Sequence, residues 1–520
     1  MHHKYIIIGA GPAGLQLAYY FEKSNEDYLI LERGHCSGNT FKILPKHGKL
    51  ISINKVYTGY HDDEVNLRWD WNSLLNDEGF LFKYYSEKYF PDAKDLVQYL
   101  NDFKNKFGLK VDYNVDIISI DKDEHFSLKD ADGKVYTCDK LIISTGLAKE
   151  NKPCFPGSEY VKTYTKASVN PDDYKNKSVL ILGKGNSAFE TADNLIETAS
   201  VIHLLSPKPV KMAWKTHYVG HLRAVNNNIL DTYQLKSQNT ILDAEVTSIT
   251  KDKDKYIVDF FYTHANGQNW QIVVDEIISC IGFSFDNSIF EGNAVPQLTE
   301  NNKYPDMTEY WESSNVDGMF FAGTIMHMRD YKKSFSGFIH GFRYNVKALA
   351  EILKMKQGEN AFHREKMNSF ESAYEKIMYR IHSNSSLYQQ PGFISDVLII
   401  SDEYLEYVVD VPVDIIENIY HKSNHIRLTF EYGKKEYPDP FNVIRMPDDG
   451  DSSTFIHPVF RVYKDGAIVD EYHIPEDLQN EWDKEMYTTP FKSFLKMVLP
   501  LERKYMSQGK RHETLGNYCS

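Results

Sequence analysis

Apolar residues along this chain fall into two patterns. Short apolar runs occur at residues 5–8, 28–31, 141–143, 179–182, 201–205 (broken once, by His203) and 319–321. They are too short for helices and apolar on both faces, as expected of parallel strands buried from both sides. The runs at 5–8 and 179–182 lead into glycines and then into stretches of helical period, 12–23 and 187–196, and a further helical stretch covers 338–354. Strands that alternate with helices predict an α/β fold with parallel sheets. Beyond residue 357 the pattern changes to a helical opening followed by alternating apolar and polar positions at 426–432 and 455–463, with a turn at Pro447-Asp448-Asp449-Gly450. That region predicts a small α+β extension.

The glycines carry the first chemistry. Gly9-Ala10-Gly11-Pro12-Ala13-Gly14 follows the first run, and Gly183-Lys184-Gly185-Asn186-Ser187-Ala188 follows the fourth. In this strand–turn–helix setting the first glycine permits a tight turn and the second lets the backbone approach a pyrophosphate. The third lets helix and strand pack closely, and the helix N-terminus offers amides to the phosphates. The run at 28–31 ends in Glu32, 18 residues after Gly14, where a carboxylate can bond a ribose hydroxyl. The strand at 201–205 ends instead in Ser206-Pro207-Lys208. A hydroxyl and an ammonium suit a ribose 2′-phosphate, which selects NADPH over NADH. Two dinucleotides in one chain imply electron transfer between them, hence a flavoprotein.

Composition narrows the partners. With 73 acidic and 59 basic residues in 520, the net charge of −14 excludes nucleic acid and anionic membranes as expected ligands. The five cysteines, Cys36, Cys138, Cys154, Cys280 and Cys519, form no CxxC or CxxxxC pair, which disfavours a dithiol relay beside a flavin and fits a reducing compartment. No metal-ligand spacing is present, and no metal is expected. The N-terminus enters its first strand without a signal-peptide pattern and no apolar stretch is long enough for a membrane span, so a cytoplasmic enzyme is expected. The domain reading is 1–160 for a flavin domain containing an insertion at 39–106, 161–286 for an NADPH domain, 287–356 for the return to the flavin domain and 357–520 for the extension.

With the two fingerprints, Thr145-Gly146, Ile281-Gly282-Phe283 and residues 318–324 resemble the flavin-containing monooxygenase branch of the two-dinucleotide-binding flavoproteins. Four further strings are more specific: Lys49-Leu50-Ile51-Ser52-Ile53-Asn54-Lys55, Asp70-Trp71-Asn72-Ser73-Leu74-Leu75, Thr216-His217-Tyr218-Val219-Gly220 and Gly337-Phe338-Ile339-His340-Gly341-Phe342-Arg343-Tyr344. They resemble the FAD-dependent oxidoreductase-domain proteins typified by the endoplasmic-reticulum flavoprotein associated with degradation. The likeness runs over nearly the whole chain, through Tyr388 and Phe455-Ile456-His457-Pro458-Val459.

This resemblance implies two Rossmann-like domains, FAD at the first fingerprint and NADPH at the second. Carried over, Gly9, Gly11, Pro12, Ala13, Gly14, Glu32, Arg33, Phe41, Thr145 and Gly146 hold FAD, with Gly323 and Thr324 near its ribityl and pyrophosphate portion and Gly337 and Phe338 at a further helix start. Gly183, Gly185, Asn186, Ser187, Ser206 and Lys208 hold NADPH. Asn54, Lys55 and His340 are the candidate catalytic residues. The Asn54 amide is placed to donate to a C4a-(hydro)peroxyflavin that oxygenates a small nitrogen or sulfur nucleophile with O2. Arg68, Asp70, His217, Arg223, Asn226 and His327 are further pocket candidates. The branch's Phe-x-Gly segment with its histidine is absent before the second fingerprint, and Tyr164 stands at the histidine's place. The relatives' signal peptide and retention tail are also absent, so their role in protein disposal is not carried over. Two alternatives stay open: a flavin reductase or oxidase without oxygen transfer, and an FAD-stabilised protein-binding module related to protein quality control. Homodimerisation is left open as well.

Overall fold

The computed structural model describes residues 2–401, 404–433, 442 and 449–499. Cys519 and the turn residues Pro447 and Asp448 lie outside the described residues. The chain divides into two compact units, the first built from Met1–Asn54, Phe80–Thr308 and Glu312–Met328, the second from Lys55–Gly79, Glu309–Trp311 and Arg329–Ser520.

The first unit contains two seven-stranded sheets. In one, His2–Ile8 lies between Tyr28–Glu32 and Val135–Ile143, all parallel. Met319–Phe321 adds a further parallel strand, so Ile8, Leu31, Ile143 and Phe321 end in register. The apolar runs of the sequence are these strands, and Tyr5, Ile6, Ile7, Ile30, Leu141, Ile142 and Ile143 are buried almost completely. In the other sheet Ser178–Leu182 lies between Val201–Ser206 and Glu276–Ser279, again parallel, and an antiparallel meander (Thr240–Asp252, Lys255–Tyr262, Asn269–Val274) extends the far side. The strands Lys149–Glu150 and Phe283–Ser284 pair antiparallel where the chain passes between the two sheets.

The second unit holds a six-stranded antiparallel sheet whose order runs Arg364–Met367, Leu405–Pro412, Ile394–Ile400, Asn424–Glu431, His457–Lys464, Ala467–His473. Helices Ile339–Met355, Phe370–Ser383, Val413–Tyr420 and Glu485–Val498 accompany it. The insertion at 39–106 divides: residues 39–54 and 80–106 stay with the first unit, whereas 55–79 join the second. Two buried guanidiniums account for this. Arg343 Nη1 donates to the carbonyls of Asp70 and Ser73 and its Nη2 to that of Leu67. Arg68 donates through Nε to Asn384 O and through Nη2 to Ile381 O, and lies over the Tyr388 ring. Arg68 and Asp70 are thereby accounted for as structural residues, since the Asp70 carboxylate caps the backbone N–H groups of Asn72 and Ser73.

The α/β architecture and the α+β character of the C-terminal region are as the apolar pattern predicts. Among the described residues no helix is long and apolar enough to cross a membrane.

Candidate functional site: two glycine turns at sheet edges

The first fingerprint sits where the strand His2–Ile8 ends and the helix Pro12–Lys23 begins, with Gly11 as N-cap and Pro12 at the helix start. Gly9 adopts φ +105°, and a Cβ there would stand 2.8 Å from the Ser144 carbonyl oxygen, so only glycine fits. Gly11 differs. Its backbone is extended, and a Cβ would meet no described atom within 4 Å, which leaves this face of the turn open. A Cβ at Gly14 would stand 2.1 Å from the Gly9 carbonyl oxygen, which is the close helix–strand contact the motif requires.

The neighbouring strands complete this edge. Glu32 accepts the Ala10 N–H at 2.8 Å on one carboxylate oxygen and the Gly34 N–H at 2.7 Å on the other, which locks the acid beside the turn. Thr145 and Gly146 follow the strand Val135–Ile143, and Gly323 follows Met319–Phe321 so closely above the helix start that its Cβ would lie 2.7 Å from the Ala13 side chain. Arg33 is exposed, and Phe41 is partly buried in the turn Asn39–Lys42. The predicted FAD residues of the first unit thus gather at the carboxyl ends of one parallel sheet, where ligands of open α/β sheets bind.

The second fingerprint repeats the geometry. Gly183 has φ +124°, with the Cys280 carbonyl oxygen 2.4 Å from where a Cβ would be, while Gly185 has nothing within 4 Å and caps the helix Asn186–Leu195. Lys184, inside the motif, is buried against Leu242 O and the Asp243 carboxylate. Ser206 pairs in register with Asp243, so an acid missing from the sequence at 206–208 is supplied by the adjacent strand and neutralised by Lys184. Lys208 is exposed, two residues beyond Ser206. Asn186 points elsewhere: its amide donates to the Gly220 and His221 carbonyls and its oxygen accepts from the Arg223 N–H, fastening residues 220–226 to the helix start. Ser187 lies in the first turn of that helix.

Asn54 is almost fully buried, and its amide differs from the sequence expectation. Nδ2 donates to Ser86 O at 2.7 Å and Lys88 O at 3.3 Å, while the buried Oδ1 meets no donor among the described residues. Both hydrogens are committed because two carbonyls face them, so the atom presented is an acceptor rather than the donor predicted. Lys55, Gly337, Phe338 and His340 belong to the second unit. Lys55 is exposed. His340 occupies the first turn of Ile339–Met355, as the sequence implies, and its ring is stacked on Trp71 at 4.2 Å and on Phe338 at 5.8 Å.

Some contacts could not be read from the sequence. The Tyr218 hydroxyl lies 2.9 Å from His327 Nε2 with the two rings parallel. His327 was a candidate; Tyr218 was not, because it lies 109 residues away. Arg223 donates to the Ile51 carbonyl.

A second group of titratable residues gathers on the helix Asn186–Leu195. Tyr164, at the histidine's place, accepts the Lys46 N–H, and burial pushes its hydroxyl up to about 12. Burial likewise pushes Glu190 up to about 7, against the opposing charge of Lys49. Glu190 therefore holds its proton in the fold where the unfolded chain has released it: stability falls as pH rises from about 4.5 to about 7, and the full cost applies above that. Glu190→Gln is expected to raise the thermal midpoint by roughly 2–4 °C at pH 8 and to leave it unchanged at pH 4.5. Equal midpoints of both proteins at pH 8 would show that Glu190 carries no such cost.

The comparisons with known proteins agree with this geometry. The family model described as pyridine nucleotide-disulphide oxidoreductase matches residues 6–323. The chain is 36% identical to the FAD-dependent oxidoreductase domain-containing protein 2 of Mus musculus, over 96% of this chain and 84% of that protein. Among solved structures it is similar to the bacillithiol disulfide reductase Bdr from Staphylococcus aureus, with a TM-score of 0.52 and 20% identity over 69% of this chain and 99% of that one. It is also similar to a flavin-containing monooxygenase from Stenotrophomonas maltophilia, with a TM-score of 0.51 and 16% identity over 68% of this chain and 99% of that one. At these identities the two structures show the fold alone.

Proposed function

Because the chain belongs to the pyridine nucleotide-disulphide oxidoreductase family, we propose that it is an FAD-dependent enzyme that oxidises NADPH and passes the electrons to O2, oxygenating a small nitrogen or sulfur nucleophile. The observation that carries the dinucleotide part is the pair of glycine turns within one compact unit, each at the carboxyl edge of a parallel sheet and each open at its middle glycine. The residues fit the two groups. Gly9–Gly14, Glu32, Thr145, Gly146, Gly323 and Thr324 would hold FAD. Gly183, Gly185, Ser187, Ser206 and Lys208 would hold NADPH, with Asp243 silenced by Lys184 so that it does not repel a 2′-phosphate. FAD supplies the hydride acceptance and the one-electron chemistry that O2 requires. The protein's part is to position both nucleotides, and Asn54 Oδ1 offers a buried acceptor for an N–H group of the flavin.

Dioxygen is favoured over a disulfide as acceptor. The four described cysteines, Cys36, Cys138, Cys154 and Cys280, are all unpaired, and burial pushes the thiols of Cys138 and Cys280 up to about 12, far from a reactive thiolate. A second reading, an oxidase that releases peroxide, is favoured by the engaged amide of Asn54. The two are separated by measuring NADPH consumed, O2 consumed and peroxide formed with a panel of amines and sulfides. Oxygenated product in step with NADPH supports oxygen transfer. Peroxide equal to NADPH with every substrate selects the oxidase, and no NADPH oxidation at all would defeat both.

Coenzyme choice gives a sharper check. Lys208→Ala removes the cation at the edge of Ser206, and a charge-assisted hydrogen bond is worth about 1.5–3 kcal/mol. The KM for NADPH is expected to rise at least tenfold while the KM for NADH stays put. A parallel rise for both would remove Lys208 from 2′-phosphate recognition.

A further inference from the structure

In the second unit the hairpin His457–Lys464 and Ala467–His473 brings two histidines together beside a short turn, Gly450–Ser452. Their hydrogen bonds fix which nitrogen carries a proton. His457 Nδ1 is 2.9 Å from the Phe455 carbonyl oxygen, which can only accept, so Nδ1 bears the hydrogen and the neutral ring offers a lone pair at Nε2. That lone pair lies 2.9 Å from His473 Nδ1, which must then donate. His473 Nε2 faces Glu471 Oε1 at 2.8 Å and Asp451 Oδ1 at 3.1 Å. One ring nitrogen and two carboxylate oxygens thus converge on one point, where either a proton on Nε2 or a metal cation in its place joins them.

The surroundings hold that arrangement in place. Arg461 Nε binds the other oxygen of Glu471 at 2.6 Å and its Nη groups bind Glu431, which orients Glu471 without covering Oε1. Gly450 packs so closely that a Cβ would lie 2.4 Å from the His473 carbonyl oxygen, which seats the turn carrying Asp451 over the end of the strand. Donors at about 2.1 Å from an octahedral metal are about 3.0 Å apart, which matches the two separations. We propose that Asp451, Glu471 and His473 bind a divalent first-row transition cation, with His457 as the outer partner that sets the His473 tautomer. A one-imidazole, two-carboxylate set at octahedral spacing suits Mn2+, and Zn2+, which binds the same donors more tightly, serves as the probe; a neighbouring acceptor that orients a ligating histidine is the usual second layer of such sites. Sequence spacing concealed the site because its ligands lie 22 residues apart on a turn and a strand end.

The test uses the full-length flavin-loaded protein, freed of metal by chelator and dialysis, with Zn2+ titrated against a chromophoric competitor. The wild type is expected to bind one equivalent of Zn2+ more than Asp451→Asn or His473→Ala. Asp451 is exposed, so Asp451→Asn tests the site without touching the core. His457→Phe, which leaves all three ligands, should weaken that equivalent by roughly 10–100-fold. Indistinguishable Zn2+ binding by the wild type, Asp451→Asn and His473→Ala would overturn the proposal and assign the histidine pair a shared proton instead. Unaltered affinity in His457→Phe would overturn the role given to that residue.

Discussion

Gly11→Val is expected to give a folded protein that carries no flavin. Gly11 has extended backbone geometry that any residue adopts, and a Cβ there meets no protein atom within 4 Å, so valine costs the fold almost nothing. What it occupies is the face through which the backbone would approach a pyrophosphate, and a branched side chain holds the phosphates away from the helix N-terminus. Loss of that approach should lower FAD affinity by at least a hundredfold, about 3 kcal/mol, read from flavin absorbance per protein after desalting. Circular dichroism and the apoprotein's melting should match those of wild-type apoprotein. Gly14→Val is the contrasting control: its Cβ would stand 2.1 Å from the Gly9 carbonyl oxygen, so it should lose flavin by losing the fold. Gly185→Val should keep FAD and lose reduction by NADPH, because the same openness occurs there at the second turn. Full flavin content in purified Gly11→Val would remove this turn from FAD binding.

The largest stability effect is expected in the second unit. Arg380 donates through Nε and Nη2 to the two oxygens of Asp396, at 2.6 and 2.9 Å, and through Nη2 to Asp410 at 2.7 Å. Tyr407 donates to Asp396, Ser386 to Asp410, and half-buried Lys347 to Asp410 at 2.7 Å. Two cations balance two carboxylates, and the Asp396 side chain has no exposure at all. Removing one charge from such a set costs more than the set contributes, because the charges left behind have no water to turn to. Arg380→Met should therefore destabilise the protein by about 3–5 kcal/mol, a fall of roughly 10 °C in thermal midpoint. Arg380→Met combined with Asp396→Leu should recover part of that loss, since the stranded carboxylate is gone. A midpoint within about 2 °C of wild type for the single variant would show that the network carries no such weight. Acid acts on the same charges. Burial would raise the Asp410 carboxyl, yet Lys347 and Arg380 hold it well below the usual carboxylate range. Its contribution is complete above the unfolded value near 3.8 and disappears as pH falls below that toward the depressed folded value.

The two glycine turns were legible because everything they need is local. An apolar strand, a glycine spacing and a helix start lie within a dozen or so residues, and backbone sterics translate them directly into geometry: the helix expected from Pro12 to about Lys23 is Pro12–Lys23, and the glycines in the tight turns have positive φ. Glu32 was legible for the same reason, as the terminus of the next strand.

The orientation and pairing of polar side chains were decided elsewhere. Which end of the buried Asn54 amide is presented was settled by two carbonyls more than thirty residues away, Ser86 and Lys88. The acid beside the second turn, Asp243, comes from a neighbouring strand and is cancelled by Lys184. Residues 55–79 leave the unit that surrounds them in sequence because Arg343 and Arg68 bury their guanidiniums in carbonyls drawn from distant segments. By itself the sequence determined the strands, the helices and the two glycine turns, since short-range sterics and apolar period act over neighbouring residues. Only the tertiary structure decided which buried charges meet, which amide hydrogens are spent and where the units divide. A buried polar atom must find its partner wherever packing brings one, and sequence distance places no limit on that choice.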